Sequence, residues 1–197
     1  MSKRIVVVGG GVGGTMLANQ LVSKLYPEVS RGEVSVTLLS DSPDHYYKPA
    51  FMYVAFNLFF QEELKRPERS LLRPEIHFHV DKVTRFEFNS QELLTQQGKR
   101  YGYDYLVIAT GCLPAPERIE GLKEAGDHFY QYAPARQLAS RLSKIDKGRI
   151  FVSVTFPKTP NVPHQCGIAP IETTLMLDDY LRPVSYTHLR AHETRED

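Results

Sequence analysis

A short β-branched run, Ile5-Val6-Val7-Val8, leads straight into Gly9-Gly10-Gly11-Val12-Gly13-Gly14. Few local patterns constrain a chain more. The run reads as a parallel strand buried on both faces. Gly9, Gly11 and Gly14 fit the G-x-G-x-x-G spacing of a dinucleotide loop. In such a loop Gly9 permits the tight turn, Gly11 bares the backbone to a diphosphate, and Gly14 lets the next helix pack close to the strand. Met16, Leu17, Leu21 and Leu25 follow at helical spacing. The N-terminus of that helix offers N–H groups and a positive dipole end to phosphate, with Gly13 in the same bare stretch.

Val34, Val36, Leu38 and Leu39 form the next expected strand. The group at its tip conventionally bonds ribose hydroxyls. Ser40 holds that position and Asp41 follows; either suits the role. Asp41 equally suits a turn, Asp41-Ser42-Pro43-Asp44. A second small-residue motif, Ala109-Thr110-Gly111, comes about a hundred residues after the first and directly after the apolar run Tyr105-Leu106-Val107-Ile108. It lets the chain pass close to a cofactor. The two motifs in this order describe a fold wrapped around one long dinucleotide, for which FAD is the best candidate.

Composition narrows the rest. The 197 residues suit one to one and a half domains, and 42% hydrophobic content supplies a core. A net charge of +1 without a basic cluster argues against nucleic acid. Two cysteines, Cys112 and Cys166, are too few for a disulfide-stapled scaffold. No apolar run approaches a membrane span, and the start is unlike a signal peptide, so a cytoplasmic location is expected.

The aromatics of residues 41–60 suit either a cover for a flavin ring or plain core, and composition favours core. Ile76, Phe78, Val80, Val83 and Phe86 alternate, and Gln97-Gly98-Lys99 reads as a hairpin turn. A small antiparallel ribbon is expected there. His77 and His79 share a face of it but lack a third ligand, so no metal site is expected. A helix is expected over 134–145, then a strand over 149–154, then a helix over 171–182. Residues 184–197 follow no apolar pattern. They resemble translated adaptor sequence and are set apart from the fold.

The pair Val8-Gly9-Gly10-Gly11-Val12-Gly13-Gly14 and Tyr103-Asp104-Tyr105-Leu106-Val107-Ile108-Ala109-Thr110-Gly111 resembles the FAD-dependent pyridine nucleotide–disulfide oxidoreductase superfamily. Most members carry a second glycine loop for NAD(P)H. Here the corresponding stretch, residues 155–172, holds prolines and Cys166 instead, and no G-x-G-x-x-G. A cysteine ahead of a helix N-terminus has its thiolate favoured by the dipole. Cys166, Pro170 and Glu172 resemble the redox loop of sulfide:quinone oxidoreductases and flavocytochrome c sulfide dehydrogenases.

That resemblance covers residues 4–182. It implies that Gly9, Gly11, Gly14, Ser40, Lys48, Pro49, Val83, Thr110 and Gly111 hold FAD. It also implies sulfide as donor, a quinone as acceptor, and a peripheral membrane contact made by a C-terminal part beyond Arg182. Glu172 is read either as a proton-transfer group or as a carboxylate stabilising the first helical turn. His164 is a surface histidine or a neighbour that lowers the Cys166 pKa. The stretch 129–135 lacks the cysteine and histidine that many members carry; Cys112 does not match that position and reads as a small residue after the cofactor loop.

The expected architecture is a doubly wound, three-layer Rossmann-type α/β domain over 1–115 with a β insertion, and the first part of a second α/β domain over 116–183. The chain is expected to be the inactive front part of a longer enzyme, and a homo-oligomer is compatible with the reading. A type II NADH dehydrogenase shares the FAD half and is the alternative.

Overall fold

The structure, a computed structural model, describes residues 2–153 and 166–182. Contacts divide the chain into two units: Met1–Tyr47 with Gln61–Ala115, and Lys48–Phe60 with Pro116–Asp197.

The first unit is built on β1 (Lys3–Val8), whose last four residues are all buried. It is followed by α1 (Val12–Lys24), α2 (Tyr26–Ser30) and β2 (Val34–Ser40). A short antiparallel pair comes next, β3 (Asp44–Tyr46) with β4 (Lys65–Pro67). Between them in sequence lies α3 (Phe51–Ala55), which belongs to the second unit. Then come β5 (His77–Val80), the ribbon β6 (Val83–Glu87), β7 (Glu92–Thr95) and β8 (Arg100–Gly102), and finally β9 (Tyr105–Ile108).

Strands β5, β2, β1 and β9 form one parallel sheet in that order. Alternation along β1 sends side chains to two cores. Ile5 and Val7 pack on one face with Ala18 and Val22 of α1, Val36 and Leu38. Val6 and Val8 pack on the other with Leu39, Leu93 and Tyr103, under the ribbon. The layers are therefore helix, parallel sheet and antiparallel ribbon. The buried stripe of α1 is Gly14, Thr15, Ala18 and Val22, a row of small side chains; Met16 is exposed. Small residues let the helix axis approach the sheet.

The expected ribbon is present with its turn at Gln97–Lys99, but β5 is not part of it. The strand pairs in parallel with β2 and closes one edge of the sheet. An edge strand is covered on one side, so its residues alternate as a ribbon's would. Asp104 locks the opposite side of the unit: it accepts the Arg4 backbone N–H at 2.8 Å and pairs with the Arg4 and Lys3 side chains. These bonds hold its carboxyl below the usual range, the Arg4 N–H contributing most.

The described second unit is helical. It contains α3, α4 (Leu122–Ala125), α5 (Tyr132–Leu142) and α6 (Ile168–Leu181). Met52, Ala55 and Phe56 of the α3 segment bury with Leu142 and Leu177, flanked by Leu138, Met176 and Tyr180. Phe51 meets Tyr132 edge-on at 6.3 Å, and Arg136 bonds Asn57 at 2.9 Å. The core reading of the aromatic stretch thus holds for Phe51 and Phe56, while Tyr47 and Phe60 are exposed. The sequence placed residues 48–60 within the first domain; their contacts are with the second unit. Residues 149–153 form no strand, in contrast to the expectation, and Val154 lies outside the described residues. A strand needs a pairing partner, and none stands beside them among the described residues.

Candidate functional site

The strand order reverses at β1, which β2 flanks on one side and β9 on the other. The carboxyl ends of strands at such a point form a natural ligand crevice. Gly9 bonds back to Leu39 O through its N–H (2.8 Å), and the Ala109 N–H bonds Val8 O (2.8 Å). The loop after β1 is thereby pinned between the ends of both neighbours. Gly9 has φ +113°, and a Cβ there would overlap the carbonyl of Ala109. A Cβ on Gly14 would overlap the Gly9 carbonyl oxygen. Gly11 and Gly13, by contrast, face open space. Two glycines serve the packing and two leave bare backbone. Gly11 caps α1 without any side-chain bond, so the first-turn N–H groups stay available to an anion.

Beside the loop lie the tips of β2 and β5. Ser40 is buried; its Oγ accepts the Ser42 N–H at 3.2 Å, and a Cβ on Gly10 would come within 2.7 Å of it. Asp41 is exposed and lines a cleft of about 460 Å³ with Val80, Asp81, Lys82, Gln96 and Gln97. The Asp81 backbone N–H bonds Ser40 O at 2.7 Å. Asp81 is 4% exposed, and its carboxylate accepts the Gln97 N–H through Oδ1 at 3.3 Å. Oδ2 is buried without a hydrogen-bond partner. A lone buried carboxylate oxygen on a cleft wall is a ready acceptor for a hydroxyl or amino donor. Tyr101 has its phenol pushed above the ordinary value, first by burial and then by the Asp81 charge.

Residues 3–152 match the family described as pyridine nucleotide-disulphide oxidoreductase. The chain belongs to this family. Its members are FAD-dependent oxidoreductases. The mitochondrial sulfide:quinone oxidoreductase of Dictyostelium discoideum is 29% identical over 184 residues, covering 91% of this chain and 39% of that protein. The sulfide-quinone reductase of Aquifex aeolicus is 38% identical over 112 residues, covering 56% of this chain and 25% of that one. The X-ray structure of the sulfide:quinone oxidoreductase from Aquifex aeolicus superposes with a TM-score of 0.62 at 29% identity, over 73% of this chain and 32% of that one. A type II NADH:quinone oxidoreductase of Staphylococcus epidermidis is 27% identical over 141 residues, 71% of this chain and 34% of that protein. The chain therefore spans well under half the length of these relatives.

The first unit fits the family's FAD. The bare backbone at Gly11 and Gly13 suits a diphosphate, and the Asp81 oxygen and exposed Asp41 suit donors of an adenosine end. Val83 begins β6 two residues after Asp81, and Ala109, Thr110 and Gly111 follow β9 at the same end of the sheet as the loop. Lys48 and Pro49 open a helical turn that runs into α3, in the second unit.

Cys166 is an exposed free thiol two residues before the start of the fourteen-residue helix α6. The preceding residues 154–165, with His164, lie outside the described residues. Helix α6 starts at Ile168, so Glu172 is its fifth residue and stands outside the first turn, contrary to the stabilising role weighed from sequence. It is half-buried, and the Tyr53 phenol donates to its Oε1 at 3.1 Å. Glu172 also lines a cleft of about 330 Å³ with Phe56, Leu58, Leu175 and Tyr180 among others. Cys112 is exposed after β9. Among the described residues no three His, Cys, Asp or Glu gather as metal ligands, and no helix is long and apolar enough to cross a membrane.

Sequence reading missed one cluster. Glu68 is fully buried; it accepts the Thr15 hydroxyl at 2.6 Å and bonds His45 Nδ1 at 2.9 Å. Its carboxyl carbon lies 3.5 Å from where a Cβ on Gly10 would stand. The available signal was Thr15 directly after Gly14, a polar side chain on the packed face of α1 that needs a buried partner.

Proposed function

We propose that the protein is a FAD-dependent oxidoreductase that oxidises sulfide and delivers electrons to a membrane quinone. Cys166 carries the sulfur chemistry. The observation that carries this reading is an accessible free thiol two residues ahead of a fourteen-residue helix, where sulfide can reach it. Two relatives named for sulfide and quinone support it. FAD, when bound, supplies a two-electron acceptor that can hand electrons on to a quinone.

The chain's own residues divide the remaining work. The loop Gly9–Gly14 and the first turn of α1 bind the diphosphate, with Gly11 and Gly13 leaving the backbone bare. Ser40, Asp41 and Val83 frame the adenosine end, and Asp81 adds an acceptor the sequence reading did not include. Ala109, Thr110 and Gly111 line the passage of the cofactor beside β9. Sulfide attacks a disulfide that joins Cys166 to a second cysteine beyond Arg182: the old S–S bond breaks as the new one forms, the persulfide stays on Cys166 and the second cysteine leaves as a thiolate. Glu172, its orientation fixed by Tyr53, takes up or returns the proton that accompanies each sulfur transfer. Quinone is met at the cytoplasmic membrane surface through parts beyond Arg182.

The test is sulfide-dependent quinone reduction by the full-length protein. Cys166→Ser is expected to lower the rate at least about a hundredfold; a rate near wild type removes Cys166 from the reaction. A second reading, NADH as donor, is favoured by the Staphylococcus relative. Flavin bleached by NADH and untouched by sulfide would select it.

A further inference from the structure

We propose that His45 and Glu68 form a proton-operated electrostatic switch beneath the diphosphate loop, so that the first unit binds FAD tightly only when His45 is protonated. The inference rests on the reading that this loop holds FAD.

Glu68 has no contact with solvent, and both its carboxylate oxygens are engaged, one by Thr15 and one by His45. A carboxylate so enclosed needs a compensating charge. Its position makes the need sharper. It lies against Gly10, in the loop whose bare N–H groups are suited to an anion. An uncompensated negative charge there opposes the positive end of α1 and repels a diphosphate. A protonated His45 at 2.9 Å cancels it. A neutral His45 can still donate a hydrogen bond, but the charge of Glu68 then stays.

The surroundings leave His45 to decide the matter. From α1 only the Thr15 hydroxyl approaches, 3.5 Å from Nδ1. Across the β3–β4 pair His45 stands opposite Arg66, which is exposed and bonds the Lys65 carbonyl. The neighbouring Asp44 and Lys65 form an ion pair with each other at 3.6 Å. The loop contributes glycine alone. By linkage, whatever proton binding adds to FAD affinity, FAD binding adds to the proton affinity of His45.

The sign follows directly: affinity is high when His45 is charged and falls as pH rises. FAD is titrated into the 197-residue chain, followed by flavin fluorescence, from about pH 5.5 to 8.5, a range that brackets the ordinary histidine pKa. Wild-type affinity is expected to fall about tenfold across that range. Glu68→Gln keeps the hydrogen-bonding shape without the charge; it is expected to bind at the tight level at every pH. His45→Gln is expected to bind at the weak level at every pH.

A flat wild-type profile overturns the switch, and so does a Glu68→Gln protein that falls to the weak level at alkaline pH. If Glu68→Gln does not fold, the wild-type profile and His45→Gln decide between the same outcomes. Absence of FAD binding at every pH is a different result: it overturns the cofactor reading itself, and the switch with it.

Discussion

The two units are stabilised in different ways, and the difference shows where chemistry can be read from backbone and where it depends on side chains. In the first unit the site is backbone: a loop pinned by Leu39 and Ala109, helix N–H groups, and glycines with no room for a Cβ. In the second unit the candidate groups are side chains on and beside a helix, an exposed thiol and a glutamate held by one phenol. A backbone site is fixed by register and fails when packing fails. A side-chain site tolerates packing changes and fails when one functional group goes.

Substitution at packing positions should give the largest effects. Leu93 is fully buried between sheet and ribbon, so Leu93→Ala is expected to destabilise the protein by about 3 kcal/mol in urea unfolding. Gly14→Ala comes next. Its methyl must displace the Gly9 carbonyl, at roughly 2 kcal/mol in the same assay, with loss of FAD binding. Gly11→Ala reverses the balance. Open space surrounds that position, so stability should stay within about 0.5 kcal/mol. FAD affinity should nonetheless fall at least about tenfold, because a methyl stands where the diphosphate approaches. Equal effects of Gly11→Ala and Gly14→Ala on stability would erase the distinction between bare and packed glycines.

The smallest effect concerns acid stability. The Asp104 carboxyl is held below its usual value in the fold, so its contribution is present above the unfolded-state value near 3.8 and is lost as pH falls through the lower folded value. Asp104→Asn should therefore lower the melting temperature modestly at neutral pH and leave it unchanged at pH below the folded value, which flattens the acid limb of a pH-dependent melting series. A change in acid as large as the change at neutral pH would assign Asp104 another role.

Much of this was legible from the chain alone. Strand β1 announces itself because a parallel strand buried on both faces needs an unbroken apolar run, as Ile5–Val8 supplies; Tyr105–Ile108 supplies a run of the same kind, although β9 lies at the edge of the described sheet with Tyr105 and Ile108 exposed. The hairpin at Gly98 was legible because a tight turn restricts its residues. β5 was misassigned because its pairing is non-local: nothing in His77–Val80 states that the partner is Leu38 rather than a neighbour. The 149–154 strand was expected from the resemblance, which places a strand at the opening of a second domain but carries no record of whether a partner strand stands beside residues 149–153 here. The Glu68 cluster was hidden for a related reason. Thr15, His45 and Glu68 are each unremarkable in sequence, and only the return of the chain through β3 and β4 unites them. Asp81 escaped notice because burial of a turn carboxylate is a tertiary fact.

Strand β9 joins β1 from about a hundred residues downstream, and the Gly9 turn closes only against the carbonyl of Ala109. During synthesis the first dozen residues leave the ribosome with their nucleotide grip unfinished, and the nascent chain must wait several seconds, at ordinary elongation speed, for the strand that completes it. Cofactor capture is thereby scheduled after the closing of the sheet.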